Sequence, residues 1–253
     1  MNNKAFTLIE LLVVISITAL LISILLPALS KARESSQRIA CMSGVKQMCV
    51  SSVAYTSDYD SHFPRTFHSG SEFPFAVSIG APGGVKYGGL GLLYGGGYLN
   101  KSKSIFFCPG LSAGDFLSYA NFGDIVDKAG ATACYTSYAY RCEAWDMDEN
   151  GILETSEVPS SGQYNGMQLS LLLKSKALIV DYFLHNSQER SGHINPNGTG
   201  TYNVGYTDGS VRPYVDRDGS IAFAASGIGF SGGGHGNYSG SHVWGWVKFF
   251  DEN

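Results

Sequence analysis

The sequence predicts an α+β chain: a long N-terminal helix, first transmembrane and then an amphipathic spine, packed on a mainly antiparallel β-sheet domain. Three observations predict it. Residues 6–26 are an apolar run whose one charge is Glu10. Residues 28–60 contain no proline and a single glycine, Gly44, as a continuing helix requires. From His62 onward, short aromatic and aliphatic runs alternate with Gly, Pro, Asn and Ser, the signature of strands and turns.

Taken in order, the apolar run has the roughly 20 residues that span a bilayer. It is longer than the core of an ordinary secretory signal, and no small-residue cleavage site follows it. Lys4 precedes the run, whereas Lys31, Arg33 and Arg38 follow it, so the distribution of basic residues does not itself fix an orientation. A helix from Phe6 to about Tyr59 is roughly 80 Å long at 1.5 Å per residue. Pro27 removes a backbone donor and crowds the preceding turn, which predicts a kink or local melting there. Beyond it, Cys41, Val45, Met48, Ser52, Tyr55 and Tyr59 recur at spacings of three and four and mark one buried face. Arg33, Glu34, Gln37 and Arg38 form a polar side.

In the remaining domain, Gly88–Gly97 reads as a loop or short helix. Without a Walker lysine it has no phosphate-binding character. Ala177–Tyr182, Tyr202–Tyr206, Ser210–Val215 and Ser220–Ala224 read as strands. Asp208-Gly209 and Asp218-Gly219 carry the tight-hairpin signal. Val243–Phe250 is apolar on both faces and belongs inside a sheet or against the helix, and the Gly- and Ser-rich stretch Ser226–Gly240 reads as a loop. Only 15% of residues are charged, while Gly numbers 32 of 253 and aromatics reach 13%. This composition suits an extracytoplasmic β-rich domain better than a cytosolic enzyme. A net charge of −4 with no basic block after residue 40 argues against nucleic acid as a partner.

Lys4, Ala5, Phe6, Thr7, Leu8, Ile9 and Glu10 resemble the processing site of type IV prepilins and of the pseudopilins of type II secretion. A proline at the depth of Pro27 adds to the likeness. The resemblance implies a leader, residues 1–5, removed by a prepilin peptidase between Ala5 and Phe6, followed by methylation of the new amine. It implies a polymerisation helix over 6–27, a spine over 28–60 and a pilin-like extracytoplasmic domain over 61–253. The N-terminus would lie in the cytoplasm and the chain would cross the inner membrane once, before entering a periplasmic or cell-surface filament. The implied partners are the prepilin peptidase/methyltransferase, other pilin-like subunits and an inner-membrane assembly platform. Cys41, Lys46, Gln47, Tyr55, Asp58 and Tyr59, then Phe107-Cys108-Pro109, resemble a prepilin-like group of planctomycete and verrucomicrobial relatives. That group carries a His, nine residues and Asp-Gly. Here His193 and Asp208 are separated by fourteen residues (194–207), a departure from the pattern.

Three constellations could carry chemistry. Glu10 is an intramembrane carboxylate, and a charge near the bilayer centre costs about 2.5–3.5 kcal/mol on insertion scales, so it calls for a partner. The resemblance supplies one: the amine created on Phe6 of a neighbouring subunit. Second, Asp146 to Glu157 fits the twelve-residue calcium loop D-x-D-x-N-G-x5-E. Asp146, Asp148, Asn150 and Glu157 would give side-chain oxygens, Ile152 its carbonyl, and Glu154 a direct or water-mediated ligand. Its flanks read as β structure, so a single structural Ca2+ site is expected; a solvated acidic loop is the plainer reading. Third, five cysteines in an oxidising compartment permit disulfides, with one thiol left over. Cys41 and Cys49 lie two helical turns apart, too far to bond one another. The expected pairs are Cys41–Cys108 and Cys134–Cys142, with buried thiols as the competing reading. The six histidines form no H-E-x-x-H-type cluster and no G-x-S-x-G elbow stands on a strand-to-helix turn, so no enzyme is expected. His193 and Asp208 read as surface or hairpin residues before catalytic ones. The expectation is therefore a filament subunit. Its rival is a membrane-anchored extracytoplasmic binding protein, for glycans or surfaces, that does not polymerise.

Overall fold

The computed structural model describes residues 7–65, 76–81, 84–100, 102–111, 134–141, 169, 175–185, 188–191, 193 and 200–217. The expected strands at 220–224 and 243–250, the loop at 226–240 and the calcium-type loop at 146–157 lie outside them.

Helix α1 spans Leu8–Asp58, 51 residues or about 77 Å. It runs through Pro27 without interruption; the local melting expected there does not occur. One missing donor and one crowded turn leave the intrahelical ladder intact on either side. The buried face lies wholly in the second half, at Cys41, Gly44, Val45, Met48, Cys49, Ser51, Ser52, Tyr55 and Thr56. It contains the face expected from the three-four spacing except Tyr59, which caps the helix end, and widens it by Gly44, Cys49, Ser51 and Thr56. Tyr59 is half exposed, yet its ring stacks on Tyr55 with centroids 3.9 Å apart. Asp60 and Ser61, both at positive φ, then turn the chain out of the helix, and the Ser61 N–H bonds back to Thr56 O at 2.9 Å.

Among the described residues all strand pairs are antiparallel. One sheet has the order β2-β1-β3, from β1 (Ala76–Ala81), β2 (Gly84–Tyr87) and β3 (Cys134–Tyr135). A second has the order β4-β5-β8-β9, from β4 (Ala139–Tyr140), β5 (Ala177–Val180), β8 (Gly200–Tyr206) and β9 (Val211–Asp216). Strands β6 (Tyr182–His185) and β7 (Gln188–Ser191) pair as a hairpin. A short helix α2 (Leu90–Gly95) fills the place of the Gly-rich segment. Pro213 is tolerated in β9, which among the described residues is an edge strand. The β8–β9 turn is the hairpin signalled by Asp208-Gly209. The Gly209 N–H bonds to Tyr206 O, and Gly209 takes φ +75°, which a side chain would strain. Asp208 Oδ1 accepts from Ser210 N at 2.8 Å, so Asp208 is a turn residue. The run expected as one strand over 177–182 is broken at Asp181, which follows β5 and turns its carboxylate into the core.

The second half of α1 lies across β5, β8 and β9. Val45, Met48 and Cys49 share one core with Phe106, Tyr140 and Leu178. Polar ties reinforce this docking. Gln37 Nε2 donates to Pro109 O at 3.1 Å and Ser51 Oγ to Tyr98 O at 2.9 Å. Lys46 Nζ donates to Gly209 O, and the Tyr98 hydroxyl to the Asp58 carboxylate. The closest approach is at Gly205, where a Cβ would stand 2.3 Å from Cys49 Sγ and 2.7 Å from Val45 Cγ1. Gly44, by contrast, faces Tyr138 Oη at an ordinary 3.5 Å. Gly205→Ala is therefore expected to destabilise the detergent-solubilised chain by about 1–3 kcal/mol through overpacking. Gly44→Ala should stabilise it by up to about 1 kcal/mol through helix propensity. Urea unfolding midpoints check both, and equal shifts of one sign would contradict the packing described.

Candidate functional site

Among the described residues, the first half of α1 has no partner. From Leu8 to Leu29 its large aliphatic side chains are exposed, Leu8 at 86% and Ile24 at 66%. Among the described residues α1 is the helix long and apolar enough to cross a membrane, and none of its apolar window is buried. A water-facing surface of this size is unstable unless lipid or other subunits cover it. Its hydroxyls are already satisfied within the helix. Ser16 Oγ donates to Leu12 O, Thr18 Oγ1 to Val14 O and Ser23 Oγ to Leu20 O, at 2.7–3.0 Å.

Glu10 sits at the third position of α1 in a reciprocal capping box. The Thr7 N–H and hydroxyl both donate to Glu10 Oε2, at 2.9 and 2.8 Å, and Glu10 N donates to Thr7 Oγ1 at 3.3 Å. The carboxylate also faces the positive end of the helix dipole. Sequence reading singled out its charge and missed this local role, although Thr7 and Glu10 stand at the capping-box spacing. Ala5 and Phe6 lie outside the described residues, as do Asp146, Asp148, Asn150, Ile152, Glu154, Glu157 and Cys142.

The expected Cys41–Cys108 disulfide is not formed: both are thiols, and so is Cys49, whereas the expected Cys134–Cys142 pair involves Cys142, outside the described residues. Cys41 and Cys108 are nevertheless neighbours, each turned to a polar partner. Cys41 Sγ donates to Asp181 Oδ2 at 3.2 Å and lies 3.5 Å from Tyr138 Oη. Cys108 Sγ lies 3.5 Å from His193 Nε2, and that nitrogen is 3.7 Å from Asp181 Oδ2. All of these side chains are buried. His193 thus meets Asp181 in the core and not the turn residue Asp208. Burial pushes the Cys41 thiol, the Tyr138 phenol and the Asp181 carboxyl well up; for Asp181 the Cys41 sulfur adds to the effect. At His193 burial opposes the charge, but the Cys41 thiol and the Asp181 carboxylate outweigh it and the pKa rises. Asp181 was not singled out from sequence. Its signal was a lone acid at the end of the apolar run Ala177–Val180.

Comparison with known proteins follows the same division of the chain. The prokaryotic N-terminal methylation motif matches residues 1–26. A ComG operon protein 3 homolog of Bacillus licheniformis is 32% identical over 84 residues, which cover 33% of this chain and 87% of the relative. The chain belongs to the type IV prepilin-like family. The methylation motif of this prepilin-like chain ends within the apolar half of α1, one residue before Pro27. The 84 matched residues amount to a third of its length, so most of the chain lies beyond the likeness to that relative. No solved structure matches it.

Proposed function

We propose that this chain is a structural subunit of a type IV pilus or type II secretion pseudopilus. Prepilin peptidase cuts between Ala5 and Phe6, the new amine is methylated, and α1 packs against neighbouring subunits delivered by an inner-membrane platform. The work is mechanical, without catalysis. The observation that carries this reading is the uncovered apolar half of α1, which the methylation motif spans to residue 26 and one carboxylate breaks. Before assembly the N-terminus lies in the cytoplasm, α1 crosses the inner membrane, and the β domain stands outside it.

Glu10 has two roles to separate, helix capping and charge pairing with the amine on Phe6 of a neighbour. Glutamine serves a capping box as well as glutamate does but carries no charge. Glu10→Gln and Glu10→Ala are both expected to be cleaved after Ala5, as mass spectrometry of the N-terminus would show. Both should lower the sedimentable filament fraction at least tenfold, because a buried amine left without its counter-charge is costly. Wild-type filament yield from Glu10→Gln would reduce the residue to a cap. A wild-type chain that is processed but never sediments would favour a membrane-tethered binding domain.

The acidic loop from Asp146 to Glu157 belongs to this reading through its sequence pattern, as a structural Ca2+ site of the exported domain. Calorimetric titration of the solubilised chain should show one site with a Kd on the order of 10⁻⁴–10⁻³ M, as extracellular calcium modules do. The double substitution Asp148→Asn, Glu157→Gln should abolish it. Absence of calcium heat from the wild-type chain removes the claim.

A further inference from the structure

Four segments remote from one another in sequence deliver Cys41, Cys108, Asp181 and His193 to one buried point. Cys41 comes from the first buried turn of α1, and Cys108 from the turn after the short 3-10 helix Lys103–Phe106. Asp181 follows β5, and His193 is held beside β8 by the Thr201 N–H on its carbonyl at 2.8 Å. The ligand atoms of Cys41, Cys108 and His193 all lie within 4.8 Å of one another.

We propose that this cluster is a structural zinc site, with Cys41 Sγ, Cys108 Sγ, His193 Nε2 and Asp181 Oδ2 as its four ligands, stapling the helical spine to the β domain. The spacing carries the argument. A tetrahedral zinc with bonds of about 2.3 Å to sulfur and about 2.0–2.1 Å to nitrogen or oxygen sets its ligands about 3.3–3.8 Å apart. The observed separations are 3.2 Å for Cys41–Asp181, 3.5 Å for Cys108–His193 and 3.7 Å for His193–Asp181. These three contacts lie within a few tenths of an ångström of that geometry, while Asp181 Oδ2, adjacent to Cys41 and His193, stands outside the 4.8 Å group and must close toward Cys108 on binding. Two sulfurs with one imidazole select zinc over calcium or magnesium, and four protein donors with no exposed position mark a structural site.

The surroundings suit the charged, metal-bound forms. The Gly110 N–H donates to Cys108 Sγ at 3.3 Å, and the Tyr138 hydroxyl stands 3.5 Å from Cys41 Sγ, so both sulfurs have a donor once they lose their protons. Asn203 donates from its backbone N–H and its side-chain amide to the two oxygens of Asp181, which fixes that carboxylate. On binding, the two thiol protons leave to solvent. Two thiolates balance the dication, and the Asn203 donors take up the remaining carboxylate charge. A Cys41–Cys108 disulfide, the competing fate, would draw the sulfurs to about 2.0 Å. It would strand the buried carboxyl and imidazole without that dication.

The test uses the full-length chain in detergent, purified under reducing conditions and loaded with Zn2+ or Co2+ alone. One equivalent of metal is expected, and the Co2+ form should show a sulfur-to-metal charge-transfer band, which carboxylates of the acidic loop cannot produce. Cys108→Ser and His193→Ala should each weaken Zn2+ binding on the order of 100-fold or more, measured by chelator competition. Cys49→Ser, on the same helix outside the cluster, should leave the cobalt spectrum unchanged. Zn2+ should raise the melting temperature of the wild type and not of Cys108→Ser. A folded wild-type chain that binds no metal and keeps both thiols titratable would overturn the proposal, as would an intramolecular Cys41–Cys108 disulfide in chain isolated without reductant. None of these readouts depends on filament assembly.

Discussion

Helix α1 is a single rod held in two environments, and the rest of the molecule follows from that constraint. Burying one Leu, Ile or Val side chain contributes about 1.5–3 kcal/mol. The aliphatic side chains exposed between Leu8 and Leu29 therefore represent tens of kcal/mol, more than the 5–15 kcal/mol that stabilises a typical domain. The described β domain does not supply that cover, because among the described residues its contacts with α1 begin only near Gln37 and Cys41. Lipid or neighbouring helices must. In lipid the apolar driving force between helices vanishes, so polar groups and close packing decide which helices associate. On this segment the hydroxyls are already spent on their own helix, and Glu10 is the polar group left to discriminate.

A rod that is gripped at one end must be gripped firmly if displacement of the helix is to move the domain. The grip has three kinds of contact. Gly205 lets β8 approach the helix so closely that Cys49 and Val45 occupy the space of a side chain. Gln37, Lys46, Ser51 and Asp58 tie the helix to carbonyls and a hydroxyl of the domain at successive heights. One turn beyond the Gln37 tie stands the polar cluster around Cys41. The buried thiols, carboxyl and imidazole there are tolerable because each has a polar partner, and they fix the helix rotation more narrowly than apolar packing would.

Local patterns were legible in the sequence where the physics is local. The three-four spacing found the buried face of α1, because residues on one helix face are set by the 3.6-residue turn. Asp208-Gly209 found the β8–β9 turn, because Gly209 needs a positive φ. The polar cluster was not legible, since its contacts join residues 85 and 140 positions apart. Sequence could suggest that Cys41 and Cys108 are neighbours, but not that Asp181 and His193 stand between them and alternative chemistry. The single strand expected over 177–182 failed for the same reason. Asp181 leaves the regular ladder to accept two bonds from Asn203, a pairing that strand periodicity cannot anticipate.

The capping box changes the physical meaning of Glu10. A bare carboxylate entering a low-dielectric helix bundle would carry its full desolvation cost, and pairing with an amine would have to offset all of it. Here Oε2 accepts two hydrogen bonds from Thr7 and faces the helix N-terminus, so part of the lost hydration is replaced before any neighbour arrives. Each bond also leaves an acceptor site on the carboxylate unused, since two oxygens offer about four lone-pair positions. An incoming cation can therefore add to the Thr7 contacts without displacing them. The same residue then holds the end of the helix in the free subunit and presents a partly solvated, correctly aimed charge to the next one.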